Sequence, residues 1–287
     1  AEDTQIYGSC RPSDTAQLQR RMSACVGEMR SWMQSNRLQL NTAKTEVLWC
    51  ASARRQNQIP DDSLMVGSDF VPPVRSVRNL GIYLDSDLTM RTHVTRTVSS
   101  CFAVLRQICD IRRSVSQSVL QSLVVSLVLS RLDYGSATLA GLPARLLDML
   151  QSVLNAAARV VYGRRKYDHV TPLLRSLHWL RVPERITFRL AVLAYRCQNG
   201  LAPPYLADDL HRVADMESRR RLRSASTAAL VVPATAHTTI GDRAFPVALA
   251  PAWNGLPPLV TSSPSLPVFR QRLKTELFKR SYGPDSN

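Results

Sequence analysis

The sequence lacks several patterns that mark common classes of protein. Its six cysteines contain no Cys-x-x-Cys pair and no cluster with histidine at zinc-ligand spacing, so no zinc knuckle is expected. The five histidines are scattered, which gives no support to Ser-His-Asp hydrolysis. The most apolar run, residues 119–129, is too short and too rich in serine and glutamine to span a bilayer, and no signal peptide is visible. We therefore expect a soluble, intracellular protein.

Basic residues are in clear excess. The chain has 37 Lys+Arg against 22 Asp+Glu, a formal net charge of +15, which favours an anionic partner and above all a nucleic acid. Only four of the basic residues are lysine. The planar fork of arginine suits phosphate contacts and base stacking, although a GC-rich coding sequence would produce the same bias. An apolar content of 45% indicates a folded core, and 287 residues suffice for roughly two domains.

Apolar spacing predicts a helix on a small sheet in the first part of the chain. Steps of three and four residues from Leu18 to Met33, including Cys25 and Trp32, indicate an amphipathic helix capped by Ser13. Two strands are predicted at residues 45–50 and 79–84. The intervening turns contain Asp61-Asp62 and Pro72-Pro73.

After residue 88 the pattern becomes helical. The predicted helices are an amphipathic one at residues 94–108 with Arg96 and Gln107 on its polar face, a buried one at 115–129, one between Pro143 and Gly163, one from Pro183 to Gly200, and one at 269–277. Residues 211–235 are rich in arginine and serine and are expected to form a loop or linker. Four prolines around Trp253 predict an irregular segment there.

Motifs of one enzyme family occur along most of the chain. Ala1-Glu2-Asp3-Thr4-Gln5-Ile6-Tyr7 is followed by Asn36 to Glu46 and by Asn79-Leu80-Gly81-Ile82-Tyr83-Leu84-Asp85. Further along stand Leu132-Asp133-Tyr134, Gly141-Leu142-Pro143, Asn155 to Arg159, Asp168 to Pro172, Leu177 to Leu180, Gly200 to Leu206, Gly241 to Phe245, Ala250 to Pro257, and Phe269 to Phe278. In order and rough spacing the chain resembles the C-terminal part of reverse transcriptases of LINE-type non-LTR retrotransposons.

The resemblance implies a two-metal polymerase site. Glu2 and Asp3 correspond to the catalytic dyad and so to ligands of Mg²⁺ in the intact polymerase, where paired ions clamp the attacking and leaving oxygens. Glu2 stands where the family has Asp, and the family draws a further carboxylate from an earlier strand. Lys44 matches a lysine that acts as general acid, or is an ordinary surface lysine. We expect the isolated chain not to extend a primer and not to bind Mg²⁺ tightly.

The resemblance also implies which residues hold the template and primer. Gly81 and Tyr83 lie in the segment that resembles the primer grip, although an ordinary edge strand explains them equally well. Five basic clusters favour phosphate contacts, although each alone is typical of a solvated face; they contain Arg54-Arg55, Arg112-Arg113, Arg164-Arg165-Lys166, Arg219-Arg220-Arg221, and Arg270, Arg272 and Lys274. Arg96 is a further candidate. Tyr162 and Tyr167 flank the third cluster and offer rings for base stacking.

Together these patterns predict an α+β chain with a mainly α C-terminal region. The expected segments are a palm remnant at 1–88, a thumb-like helical region at 89–135, a helical post-thumb region at 136–210, and a basic linker with C-terminal segment at 211–287. RNA template, DNA primer and the fingers and palm of a parent polymerase are the implied partners, in a nuclear and cytoplasmic ribonucleoprotein. A stand-alone nucleic-acid-binding module and a helical protein-interaction domain remain alternatives.

Overall fold

The fold combines a small mixed unit with a larger helical one. The computed structural model describes residues 4–67, 69–215, 229–235 and 238–283. The chain divides into two compact units, Ala1–His93 and Val94–Asn287. The first contains a long helix and short strands, and the second is mainly helical, which confirms the predicted α+β class. The finer division into four segments remains a prediction.

The helix of the first unit, α1 (Thr15–Ser35), buries the predicted stripe in part. Its buried and half-buried apolar side chains are Leu18, Met22, Val26, Met29 and Met33. Cys25 and Trp32 were predicted in this stripe but are exposed, because they lie on the flank of the helix. The predicted cap was also wrong. A 3₁₀ turn precedes α1, and the Ser13 hydroxyl donates to the carboxylate of the next residue at 2.8 Å.

Short strand pairs accompany α1. They are the antiparallel hairpin of β2 (Leu64–Val66) and β3 (Asp69–Val71), the parallel pair of β1 (Val47–Leu48) and β4 (Pro73–Val74), and the antiparallel pair of β5 (Ser76–Asn79) and β6 (Ile82–Asp85). Leu64, Val66 and Val71 pack with Val26 of α1 to form a small core. Pro73 was predicted in a turn but lies in β4, a position that tolerates proline because β4 is an edge strand.

A turn interrupts the predicted strand at residues 79–84. Leu80 and Gly81 have φ angles of 46° and 85°, and Asn79 pairs with Ile82 across them. Two consecutive positive φ angles are the geometry of a two-residue hairpin turn that matches the twist of its strands. The prediction was wrong because Leu80 continues an apolar run and only Gly81 favours the turn.

The end of β6 caps the next helix, α2 (Arg91–Ile111). The buried carboxylate of Asp85 accepts hydrogen bonds from the Thr92 backbone N–H at 3.1 Å and from the Thr89 hydroxyl at 3.4 Å. A carboxylate at this end satisfies a free N–H and complements the helix dipole. Burial lowers the pKa of the adjacent His93, and the charge of Asp85 opposes this shift.

In the second unit, other helices pack around α7 (Val182–Gln198). The elements besides α2 and α7 are α3 (Gln117–Val124), α4 (Ser130–Asp133), α5 (Ala144–Val161), α6 (Thr171–Ser176), α8 (Pro204–Ala207), α9 (Thr238–Gly241), α10 (Phe245–Asn254), α11 (Pro258–Thr261) and α12 (Leu266–Tyr282). As predicted, Pro143 precedes α5, and Gly163 and Gly200 follow α5 and α7 with φ of 61° and 67°.

The predicted buried helix at 115–129 is neither fully buried nor regular. After α3 the chain continues as a π-helical turn, Val125–Leu129. One face is buried, whereas Val119, Val125 and Leu127 are exposed. Serine hydroxyls along the segment donate to the carbonyl four residues earlier, at Ser122, Ser126 and Ser130. Such bonds compete with the regular ladder and bend helices, which the apolar pattern does not reveal.

The predicted irregular segment around Trp253 is wrong, because α10 forms there. Pro246 occupies the first turn, where a proline costs no backbone hydrogen bond. Pro251 lies inside the helix and removes one such bond. The buried side chains of Leu249 and Trp253, which belong to the core around α7, offset that loss.

An aromatic stack fills the centre of the helical unit. The ring centroids of Tyr195 on α7 and Phe269 on α12 are 4.5 Å apart, and those of Phe269 and Trp253 on α10 are 5.8 Å apart. All three side chains are buried. Rings of this size dominate core energetics, so the stack joins three helices at one point.

Polar contacts join segments that are distant in sequence. The Arg185 guanidinium donates to both carboxylate oxygens of Asp133, at 2.8 and 2.5 Å. The Tyr282 hydroxyl donates to the Trp179 carbonyl at 2.6 Å, and burial raises the pKa of Tyr282 to about 12. Two of these residues, Asp133 and Trp179, belong to the motifs of the family resemblance. Those motif residues therefore have structural roles.

The described residues of the predicted linker at 211–235, which are 211–215 and 229–235, form defined contacts. Arg212 forms an antiparallel bridge with Leu230, whose side chain is buried. Asn254 accepts from the Leu230 N–H and donates to its carbonyl, each at 2.8 Å. The Arg219-Arg220-Arg221 cluster lies outside the described residues.

Gly67, in the β2–β3 hairpin, provides a first test. Its φ is +67°, and an added Cβ would lie 2.4 Å from a guanidinium nitrogen of Arg30 on α1. Gly67→Ala should cost about 1 kcal/mol from the left-handed backbone alone. Gly27, in the middle of α1 with open space around it, is the matched control, and Gly27→Ala should gain about 0.5 to 1 kcal/mol.

Hydrogen exchange followed by mass spectrometry measures both effects in the intact chain. Peptides covering residues 15–35 and 64–71 should exchange about fivefold faster in Gly67→Ala and more slowly in Gly27→Ala. Equal effects of the two substitutions would contradict the left-handed turn at Gly67.

The ion pair between Arg185 and Asp133 provides a second test. Arg185→Met leaves the half-buried Asp133 carboxylate without these two hydrogen bonds and should cost about 2 kcal/mol of unfolding free energy. Arg189 lies one turn further along α7 and is exposed, so Arg189→Met should change stability by less than about 0.5 kcal/mol.

Tryptophan fluorescence during urea unfolding reports on the helical unit alone when Trp179 and Trp253, which are buried there, are the only tryptophans left. Trp32 and Trp49 of the first unit are replaced by phenylalanine in every variant compared. If Arg185→Met lowers the free energy of unfolding no more than Arg189→Met does, the ion pair does not stabilise the unit.

Candidate nucleic-acid interface

One of the predicted basic clusters lines a depression in the helical unit, and a second begins directly after a residue that lines it. Arg112 and Arg113 follow the C-terminal end of α2, and Tyr162 and Gly163 follow that of α5. All four residues line a surface depression of about 320 Å³. Arg164-Arg165-Lys166 follows Gly163 directly in the sequence, so a second basic cluster begins one residue after the lining of the depression.

The depression has a basic rim and an apolar floor. Arg112 and Arg113 are exposed at the rim, whereas Leu120 and Val161 are buried beneath it. Both basic clusters follow helix C-termini, whose partial negative charge they complement. That interaction stabilises the helix ends, and the exposed guanidinium groups keep donors for a phosphate.

The loop after α5 is held by backbone hydrogen bonds. The Arg164 N–H donates to the Arg159 carbonyl at 2.9 Å, and the Arg165 N–H donates to the Asp168 carboxylate at 2.9 Å. The Arg159 guanidinium donates twice to the Asp168 carbonyl, at 3.2 and 3.1 Å. Both ends of the loop are thereby fixed, while the side chains of residues 164–167 point to solvent.

Sequence reasoning missed the positioning role of Arg159 and Asp168. Both belong to motifs of the resemblance, Asn155 to Arg159 and Asp168 to Pro172, yet no chemical role was predicted for them. Their hydrogen bonds join the two motifs and frame the basic loop. The available signal was the short spacing of an arginine and an aspartate on either side of a basic run.

The two tyrosines of this region differ in accessibility. Tyr162 is half-buried, and its hydroxyl donates to the Ser176 hydroxyl at 2.8 Å. Tyr167 is 90% exposed, with the Lys166 ammonium 6.0 Å from its ring centroid. Of the two predicted stacking residues, only Tyr167 presents an open ring.

The remaining basic candidates lie elsewhere. Arg54 and Arg55 are exposed in a 3₁₀ turn of the first unit, and Arg96 is exposed on α2, as predicted for its polar face. On α12, Arg270 and Lys274 are exposed. Arg272 instead donates to the Leu259 carbonyl at 2.8 Å, so it has a structural partner.

The segment that resembles the primer grip forms the β5–β6 hairpin. Gly81 is in its turn, and Tyr83 on β6 pairs with Arg78 on β5, whose guanidinium carbon lies 5.8 Å from the ring centroid. Leu80 is exposed at the tip. The hairpin therefore has an exposed apolar side chain at its turn.

The predicted catalytic residues are only partly described. Glu2 and Asp3 lie outside the described residues. Lys44 is exposed at the end of a 3₁₀ turn, where its backbone N–H donates to the Asn41 side chain at 3.3 Å. Across the described ranges, no group of three His, Cys, Asp or Glu side chains is placed to hold a metal ion.

Comparisons with known proteins add no relative. No family model, curated protein or solved structure matches the chain. Within the described part of the chain, no helix is both long and apolar enough to cross a membrane.

Proposed function

We propose that this chain is the nucleic-acid-holding C-terminal part of a LINE-type reverse transcriptase, and that the depression between α2 and α5 contacts the phosphate backbone. The observation that carries the proposal is a depression lined by Arg112, Arg113 and Gly163, the last of which directly precedes the 164–166 cluster in the sequence. Single basic clusters are common on solvated surfaces. A cluster that lines a depression, with a second one starting beside it in the sequence, favours a polyanion on a chain of net charge +15.

The held loop supports this function. An arginine on a disordered loop loses conformational freedom when it binds phosphate. Here the hydrogen bonds of Arg159 and Asp168 fix the backbone before any ligand arrives. The two motifs that supply these residues are among those that resemble the polymerase family, which is why we connect the loop with that family's nucleic-acid handling.

Polymerase chemistry belongs, in this proposal, to the intact enzyme. Glu2 and Asp3 would supply only part of its carboxylate set, and Lys44 would act beside them. The chain alone would hold RNA template and DNA primer without extending the primer. The β5–β6 hairpin, with Gly81 at its turn, is the segment we propose to approach the primer end.

A helical protein-interaction domain is the second candidate, favoured by the exposed apolar side chains along α3 and the π-helical turn. Val119, Val125 and Leu127 are each more than 40% exposed. Salt affects binding to a nucleic acid and binding to a protein partner differently. Phosphate binding weakens steeply as salt rises, whereas apolar docking does not.

Paired charge removals test the phosphate site. Five phosphate contacts would give a slope of about −4.5 in log affinity against log salt, and so a loss of roughly 500-fold between 50 and 200 mM salt on duplex DNA. Arg112→Ala with Arg113→Ala should reduce that slope by about 1.8. Arg54→Ala with Arg55→Ala removes the same charge from the exposed turn of the first unit and should leave the slope unchanged.

Fluorescence anisotropy of a labelled duplex at several salt concentrations gives these slopes. Both double variants carry a net charge of +13, from +15 less two, so a difference between them reflects position and not total charge. Equal slopes for the two variants would contradict the proposed location. Absence of binding at low salt, or binding insensitive to salt, would contradict the nucleic-acid function itself.

A further inference from the structure

We infer that Tyr167 is a base-stacking residue, so that the basic loop after α5 prefers single-stranded nucleic acid over duplex. The inference rests on the proposed function, because it assumes that the surrounding cations bind phosphates. It adds to that function a preferred class of ligand, single-stranded nucleic acid, and names Tyr167 as the residue that determines the preference.

The first argument is the exposure of Tyr167 on a held loop. A ring that is 90% exposed buries almost none of its apolar surface, so the fold gains little from it. The hydrogen bonds from Arg165 N–H to Asp168 and from Arg159 to the Asp168 carbonyl fix the backbone on either side of it. The ring is therefore carried by a defined loop without being used for packing.

The second argument is the charge beside the ring. Arg164, Arg165 and Lys166 precede Tyr167 directly, and all three are exposed. The Lys166 ammonium lies 6.0 Å from the ring centroid, at the outer limit of a cation–π contact. Cations that track a backbone next to an aromatic face form the usual arrangement for single strands, whose bases are free to stack.

Duplex recognition would not use this ring. In a duplex each base is already stacked between its neighbours, so only the phosphates remain accessible to a flat exposed site. The cations then bind the phosphates of both ligands, whereas Tyr167 stacks only on bases of the single strand. Because every base has a π-face, the preference should not depend on sequence or on the 2′-hydroxyl.

Tyr205 offers a matched control. It is also strongly exposed, at 70%, but follows Pro203-Pro204 and precedes Asp208-Asp209. A ring in that setting has acidic neighbours that repel phosphate. Tyr205→Ala therefore removes an exposed tyrosine without removing one from a basic loop.

The test uses the full chain with three labelled probes: oligo-dT, oligo-rU and a DNA duplex of the same length. In fluorescence anisotropy at 50 mM salt, Tyr167→Ala should weaken binding of both single strands by roughly 5- to 100-fold and leave the duplex within about twofold. Tyr167→Phe should keep single-strand binding, because stacking needs the ring and not the hydroxyl. Tyr205→Ala should bind all three probes like the unmodified chain.

Three results would overturn the inference while leaving the proposed function intact. They are an unchanged affinity of Tyr167→Ala for single strands, an equal loss on duplex and single strands, and a loss in Tyr167→Phe as large as in Tyr167→Ala. If the unmodified chain binds none of the probes, the proposed function fails and this inference fails with it. Because Tyr167 is exposed, the alanine variant should keep the thermal unfolding of the unmodified chain, which is the control for folding.

Discussion

The helical unit depends on the burial of α7. Helices α5, α10 and α12 pack against it, and its residues Ile186, Leu190, Ala191 and Tyr195 are almost inaccessible to solvent. At one end of α7, Arg185 binds Asp133, and at the other, Tyr195 stacks on Phe269. One contact is electrostatic and the other apolar. Together they set the register of α7 against the helices on either side.

The position of α5 on α7 determines the candidate interface. Gln151 of α5 accepts the Val182 N–H at 2.9 Å, which caps the start of α7 and links the two helices. With α5 fixed, its last turn places Arg159 where its guanidinium reaches Asp168. The basic loop between these residues is thus a consequence of core packing, and it contains Gly163, which lines the depression together with Arg112 and Arg113.

Sequence periodicity predicted the long helices because burial of one face dictates both the pattern and the packing. The helix ends at Gly163 and Gly200 were predictable for a similar reason, since glycine readily adopts a positive φ. Periodicity failed where local hydrogen bonding or tertiary burial overrides it. The serine back-bonds before Ser130 favour a π-helical turn, and the burial of Trp253 sustains α10 despite Pro251. The charge of the candidate site was visible in the sequence, but the depression where the ends of α2 and α5 come together was not, because it depends on long-range packing.

In the proposed function, nucleic acid binds at the depression between the ends of α2 and α5. Ultraviolet cross-linking of the intact chain to a thiouridine-substituted RNA, followed by mass spectrometry of the digested protein, maps the contact directly. Adducts are expected in peptides that cover residues 112–120 and 160–168. Adducts confined to other parts of the chain, with none in these two peptides, would contradict it.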